Sequence, residues 1–192
     1  MASSQMGGGA KYLELLLPEL RKRSFEITAI TSPGGVLSER LRALGIGVQT
    51  PVDMMAYRFN PMVSWKLSQL FKVLKPDLIH FHGTRAAFQG TMLALPCPAI
   101  YTAHGAATLP IQSPLRRMLM RLVERKNLRS VRLFSGVSIR DVEAVTGNPA
   151  DGIYIPNPVD PRFFATDWHG SAEPLKERKP LVLGTVARLV PQ

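Results

Sequence analysis

The chain has 192 residues, 45% of them apolar and 20% charged, which is enough for one full domain and the start of another and more apolar material than a disordered chain carries. Its 24 Lys and Arg outnumber 14 Asp and Glu, and the resulting charge of +10 suits anionic partners such as nucleotides, lipid headgroups or nucleic acid. A single cysteine, Cys97 between Pro96 and Pro98, excludes a disulfide framework within the chain and a metal cluster built on thiols, so a reducing, cytoplasmic compartment is expected.

In chain order, Tyr12, Leu13, Leu16, Leu17 and Leu20 recur at helical spacing and predict a helix over 12–23, with Pro18 expected to kink it or delay its start. A strand is predicted over 25–31, a turn at Pro33-Gly34-Gly35, a helix over 38–44 and a strand over 48–50. The helix predicted over 61–74 stops at Lys75-Pro76 and feeds the apolar run Asp77 to His82, a strand of the kind buried on both faces of a parallel sheet. Then follow a helix over 86–95, a strand over 99–103, a long basic helix over 114–129, a strand over 132–137, a helix over 139–145 and a strand over 152–155. No stretch reaches the ~20 uninterrupted apolar residues of a membrane-spanning helix, and the opening MASSQMGGGAKY lacks the basic-then-apolar pattern of a signal peptide.

Strand and helix alternate throughout, which predicts an α/β fold with a doubly wound parallel sheet, Rossmann-like, whose ligands bind at the carboxyl ends of the strands. This domain is expected to occupy 1–169. The polar, proline-bracketed GSAEPLKERKP at 170–180 reads as a linker, and Leu181 to Val186 reads as the first strand of a second domain opening at 181–192. Gly7-Gly8-Gly9 opening a helix is a phosphate-loop arrangement, which in a nucleotide-binding sheet follows a first strand. The chain therefore reads as the middle of a longer protein, with that strand expected upstream.

Several residues stand out, each with a plain structural reading beside the chemical one. The glycine trio lets an anion approach bare backbone at a helix N-terminus, and it also matches a terminal tail. His80 and His82 in DLIHFHG share one face of a strand. A metal pair is one reading and hydrogen-bonded strand-end histidines the other, and no carboxylate or thiol lies at ligand spacing. His104 in AIYTAHG ends a strand just before Gly105, where a sharp turn would leave its imidazole at the ligand edge, either functional or structural. The basic helix sets Arg117, Arg121 and Arg125 at i, i+4 opposite an apolar stripe of Leu115, Met118, Leu119 and Leu122, with Glu124 its only acid. It reads as a solvated outer helix or as a docking surface for an anionic membrane.

GGGAKYLELLLPELRKRSFEITAITSPGG, KPDLIHFHG, IYTAHG, SGVSIRDVEAVTG, IYIPNPVDPRFF and LGTVARLVPQ, in this order and spacing, resemble the N-terminal, acceptor-side half of glycosyltransferase family 4. The resemblance covers nearly the whole chain and implies the GT-B architecture, two Rossmann-like domains facing across a cleft. It implies a retaining transferase that moves a hexose from a nucleotide-sugar, such as a UDP- or GDP-hexose, to a glycan, lipid-linked or small-molecule acceptor, with no metal or other cofactor required. On matching positions it implies donor-phosphate contacts for Gly7, Gly8 and Gly9, with Gly9 the closest, and for Arg188. It makes His104 the catalytic residue of the cleft and places His82, Ser138 and Asn157 on the cleft or acceptor side. The chain departs from the family pattern at Ala187, where glycine is usual, and at Pro158 after Asn157. By itself it is expected to transfer no sugar and to be poorly stable. A non-catalytic nucleotide- or anion-binding Rossmann module is the alternative function. Nucleic acid is not expected as a partner, since aromatics make up 7% of the chain and none lies on the basic helix to stack bases.

Overall fold

The computed structural model describes residues 7–54, 60–105 and 113–165. The chain divides into two units, Met1–Pro158 and Val159–Gln192. In the first unit the elements run α1 (Gly8–Lys22), β1 (Thr28–Ile30), α2 (Val36–Ala43), β2 (Gly47–Gln49), α3 (Pro61–Leu74), β3 (Ile79–His82), α4 (Thr84–Gly90), β4 (Ala99–Ala103), α5 (Pro114–Ser130), β5 (Leu133–Gly136), α6 (Ile139–Thr146), a single 3-10 turn at Pro149–Asp151, and β6 (Ile153–Tyr154). In the second unit a short helix, α7 (Arg162–Ala165), follows Asp160, whose carboxylate is gripped by the Arg162 guanidinium at 2.7 Å. The expected linker at 170–180 and the strand at 181–186 lie outside the described residues.

Every described strand pair is parallel, as strict alternation of strand and helix requires. The strands form two sheets, β1-β2 and β3-β4-β5-β6. Phe81, Tyr101 and Phe134 from three adjacent strands meet Leu67 and Phe71 of α3 and Val142 and Val145 of α6 in the larger core cluster. Leu13 and Leu17 of α1 pack with Leu37 and Leu41 of α2 in the smaller one. Ile30 of β1 packs against the larger cluster, so the two sheets belong to one body. Among the described residues, no helix is long and apolar enough to cross a membrane.

Some boundaries differ from the sequence expectation, each for a local reason. The first helix starts at Gly8 and runs through Pro18 without a late start, because Leu13 before the proline and Leu17 beside it are both buried in one cluster. The strand after it is shorter than 25–31: Ser24 takes a left-handed turn, and the Phe25 N–H still bonds the Leu20 carbonyl of the helix end. The fourth helix spans Thr84–Gly90 instead of 86–95. It begins directly after the Gly83 turn and ends at Gly90, where a side chain would collide with the Phe81 ring.

The basic helix α5 is anchored by buried polar groups, beside which Leu128 packs, partly buried, against the larger cluster. Its two buried residues are Glu124 and Asn127. The Glu124 carboxylate accepts from Thr84 Oγ1 at 2.7 Å and from the Tyr101 hydroxyl at 3.2 Å, while its second oxygen accepts from Asn127 Nδ2 at 3.3 Å. Lys126 adds a bond from its ammonium to the Thr91 hydroxyl at 2.9 Å. Burial pushes the Glu124 carboxyl up, against the pull of these three donors. Replacing it by alanine would leave buried donors without an acceptor, at ~1 to 3 kcal/mol each. Glu124→Ala is therefore expected to lower the urea-unfolding free energy by about 3 kcal/mol or more, and a loss below about 1 kcal/mol would show that α5 is held otherwise.

Candidate functional site

The parallel register decides where the chemistry collects. His82 pairs with Thr102 across β3 and β4, so the exits of these strands lie side by side at one edge. Each exit carries a histidine followed by a glycine of positive φ: His82 then Gly83 at 86°, and His104 then Gly105 at 91°. Such backbone is strained for any residue with a Cβ, so the glycines let the chain turn away sharply and leave both imidazoles at the edge. The expectation that Gly105 would present His104 in this way is matched, and Gly83 does the same for His82.

The two rings meet. His82 Nδ1 lies 3.0 Å from His104 Nε2, with ring centroids 5.3 Å apart and nearly parallel. The His80 ring lies 4.0 Å from that of His82, tilted by 36°, and bonds Thr102 Oγ1 at 2.7 Å, which in turn bonds Ser135 Oγ at 2.6 Å. A polar thread thus crosses three strands. It gives His80 a hydrogen-bonding role, and among the described residues no three His, Cys, Asp or Glu side chains are grouped to hold a metal ion.

Tyr12 closes the cluster from the first turns of α1. Its ring sits 5.6 Å from His82 and 5.0 Å from His104, edge-on to the latter. Tyr12 lies one turn beyond Gly8, so the helix N-terminus stands beside the histidine pair. That N-terminus has Gly7 as its cap, no side-chain capping bond and no acid in its first turn. Gly7 and Gly8 are exposed and a side chain on either would meet open space, whereas Gly9 is buried. The N–H groups of a first helical turn have no partner within the helix, and the helix dipole adds partial positive charge there.

Burial sets the charge state of the cluster. His80 is pushed down from 6.5 to about 4, chiefly by desolvation and then by the neighbouring His104. Desolvation also holds His82 well below its ordinary value and lowers His104, although the Asp141 carboxylate pulls His104 the other way. At neutral pH the three imidazoles are uncharged, so within the His82–His104 bond one ring donates and the other accepts. Whichever does so fixes the other nitrogen of His104. That atom, Nδ1, is buried and has no hydrogen-bond partner among the described residues.

The remaining expected residues fall as follows. Ser138 lies at the same edge, but its hydroxyl is committed to capping α6: it accepts from the Asp141 N–H at 3.0 Å and donates to the Asp141 carboxylate at 2.7 Å. Asn157 is exposed, a few residues beyond β6. Arg188 lies outside the described residues. Arg117, Arg121 and Arg125 sit on α5, away from the histidines in sequence, and they line one groove together with Met118 and Leu122 instead of facing away from the apolar stripe. Sequence reasoning missed Tyr12 and Asp141 as site residues. Tyr12 read as one more apolar position of a helix, though its place one turn after the glycines was a usable signal. Asp141, three residues after Ser138, completes a capping pattern that also sets a carboxylate near His104.

The histidine pKa values make stability depend on pH with a definite sign. A histidine depressed in the folded state stabilises fully above its unfolded pKa, and that stability is lost as pH falls from 6.5 toward about 4. For His80 alone the shift corresponds to about 3 kcal/mol. Unfolding midpoints followed between neutral pH and pH ~4 are expected to fall steeply for the native sequence and less steeply for His80→Gln, which keeps a hydrogen-bonding group but cannot titrate. Equal slopes for the two would show that His80 is not held neutral.

The family model of Glycosyltransferase Family 4 matches residues 6–163. Among solved structures, the chain is similar to Anabaena Alr3699/HepE in complex with UDP-glucose, at 16% identity and a TM-score of 0.66, over 85% of this chain and 44% of that one. The same protein in complex with UDP and glucose matches with a TM-score of 0.67 at 16% identity, again over 85% of this chain and 44% of that one. The chain thus spans less than half the length of these structures. No curated protein matches it. With most of its length matched by the family model, and with an α/β fold of the GT-B kind, the chain belongs to glycosyltransferase family 4.

Proposed function

We propose that the protein works in the transfer of a hexose from a nucleotide-sugar to a glycan, lipid-linked or small-molecule acceptor, with retention at the anomeric carbon and without a resident metal or cofactor. The observation that carries this reading is the meeting of a glycine-opened helix N-terminus, without a side-chain capping bond, with the His82–His104 pair at the carboxyl edge of a parallel sheet. Family membership supports the reaction class. The UDP-glucose and UDP named in the HepE structures make a UDP-hexose the first donor to try.

In the reaction the bond between the anomeric carbon and the donor phosphate oxygen breaks, and a bond from that carbon to an acceptor oxygen forms. Negative charge develops on the departing diphosphate, and preorganised N–H groups aimed there lower the barrier. The N–H groups of the glycine-opened first turn of α1 would supply such donors. Because configuration is retained, acceptor and leaving oxygens share one face of the sugar. The acceptor's proton can therefore pass to the departing phosphate oxygen. The role left for a neutral His104 is to orient: its unpartnered Nδ1 would meet a sugar or acceptor hydroxyl, as donor or acceptor according to the tautomer that His82 imposes. His82 is then a positioning residue. Ser138 holds Asp141 and the start of α6 in place at the same edge.

The test is a titration of the chain with UDP, glucose and UDP-glucose, read by backbone amide and histidine ring NMR signals. Both nucleotides should move the Gly7 and Gly8 amides. Only UDP-glucose should move His82 and His104 as well, and His104→Ala should abolish the sugar-dependent changes while leaving the nucleotide-dependent ones. Amides that respond to nucleotide while the histidines ignore the sugar would favour a non-catalytic nucleotide-binding module. No response at either place would overturn the site.

A further inference from the structure

We propose that the outer face of α5 is a docking surface for an anionic lipid bilayer. The helix is turned inside out relative to an ordinary amphipathic helix. Its buried residues are Glu124 and Asn127, while Leu115, Met118, Leu119 and Leu122 are 63%, 53%, 50% and 52% exposed. One exposed leucine needs no explanation, but four large apolar side chains within two turns form a contiguous patch.

The charges say what covers it. At 100° per residue, Met118, Leu122 and Leu115 project outward together with Arg121, Arg125 and Arg129. A shallow groove along this face is lined by Pro114, Arg117, Met118, Arg121, Leu122 and Arg125. The only acid of the helix, Glu124, is buried and engaged, so the helix itself brings no countercharge to the face. A second copy of the chain seated there would oppose arginine to arginine. A nucleic acid would find no aromatic ring on the helix to stack against. An anionic bilayer meets both features: the leucines and methionine enter the acyl boundary, while arginine stems lie along it and their guanidinium groups reach the lipid phosphates.

The face does not depend on the donor site, so its test stands apart from that of the sugar-transfer reading. The chain is sedimented with vesicles of phosphatidylcholine alone and of phosphatidylcholine mixed with phosphatidylglycerol. Binding is expected to the mixed vesicles only, and to weaken at about 1 M salt, where the screening length is ~3 Å. Each arginine near an anionic surface contributes roughly fivefold, so Arg121→Glu/Arg125→Glu/Arg129→Glu should lose at least about 100-fold. Met118→Ser/Leu122→Ser should reduce the binding that persists in salt. All five positions are exposed, so unfolding midpoints should match the native chain and confirm intact folding. Equal binding to neutral vesicles, undiminished binding by either variant, or self-association that the arginine variant abolishes would overturn the proposal.

Discussion

The parallel register of β3, β4 and β5 is the constraint on which the other features depend. Parallel strands must all leave the sheet at the same edge, and each must be followed by a helix that carries the chain back. Here two neighbouring strands leave through a histidine and a positive-φ glycine. The pairing that aligns His82 with Thr102 also sets the next residue but one, His104, a single hydrogen bond away from His82. A one-residue slip would send one imidazole to the other face of the sheet and break the pair. Sheet pairing and site geometry are therefore one and the same arrangement.

Burial then gives the edge its chemistry. Three imidazoles, with His80 and His104 each packed on His82 and Tyr12 set against the latter two, cannot all carry charge in so dry a place, and their lowered pKa values express that. The arrangement costs acid stability and yields a neutral, fixed pair of rings. Asp141 tempers the effect on His104 without reversing it. Among the described residues His104 Nδ1 is the buried histidine nitrogen left without a hydrogen-bond partner.

Much of this was legible in the sequence, because the signals were local. The helix over 61–74 and the strand over 99–103 emerge with the expected bounds, since Lys75-Pro76 and the flanking prolines punctuate them. Histidine followed by glycine at a strand end marked where the chain turns sharply out of the sheet. What stayed hidden was tertiary. That position 90 has to be glycine because the Phe81 ring fills the space beside it cannot be read from composition. Nor can the division of labour on α5, where periodicity alone makes the leucines the buried face. Glu124 overrides it, because a buried carboxylate bonded to Thr84, Tyr101 and Asn127 must point at the body of the protein, and its helix turns with it.

That rotation links the helix to the edge. The helix between two parallel strands runs back against them, so α5, between β4 and β5, starts on the side where His104 lies and ends on the opposite one. Its apolar exposed residues, Leu115 to Leu122, belong to the first half, and the arginines continue beyond them. The exposed apolar half of α5 is thus also its half nearest the histidine edge. The same buried Glu124 that replaces a leucine contact in the core is what leaves those leucines exposed.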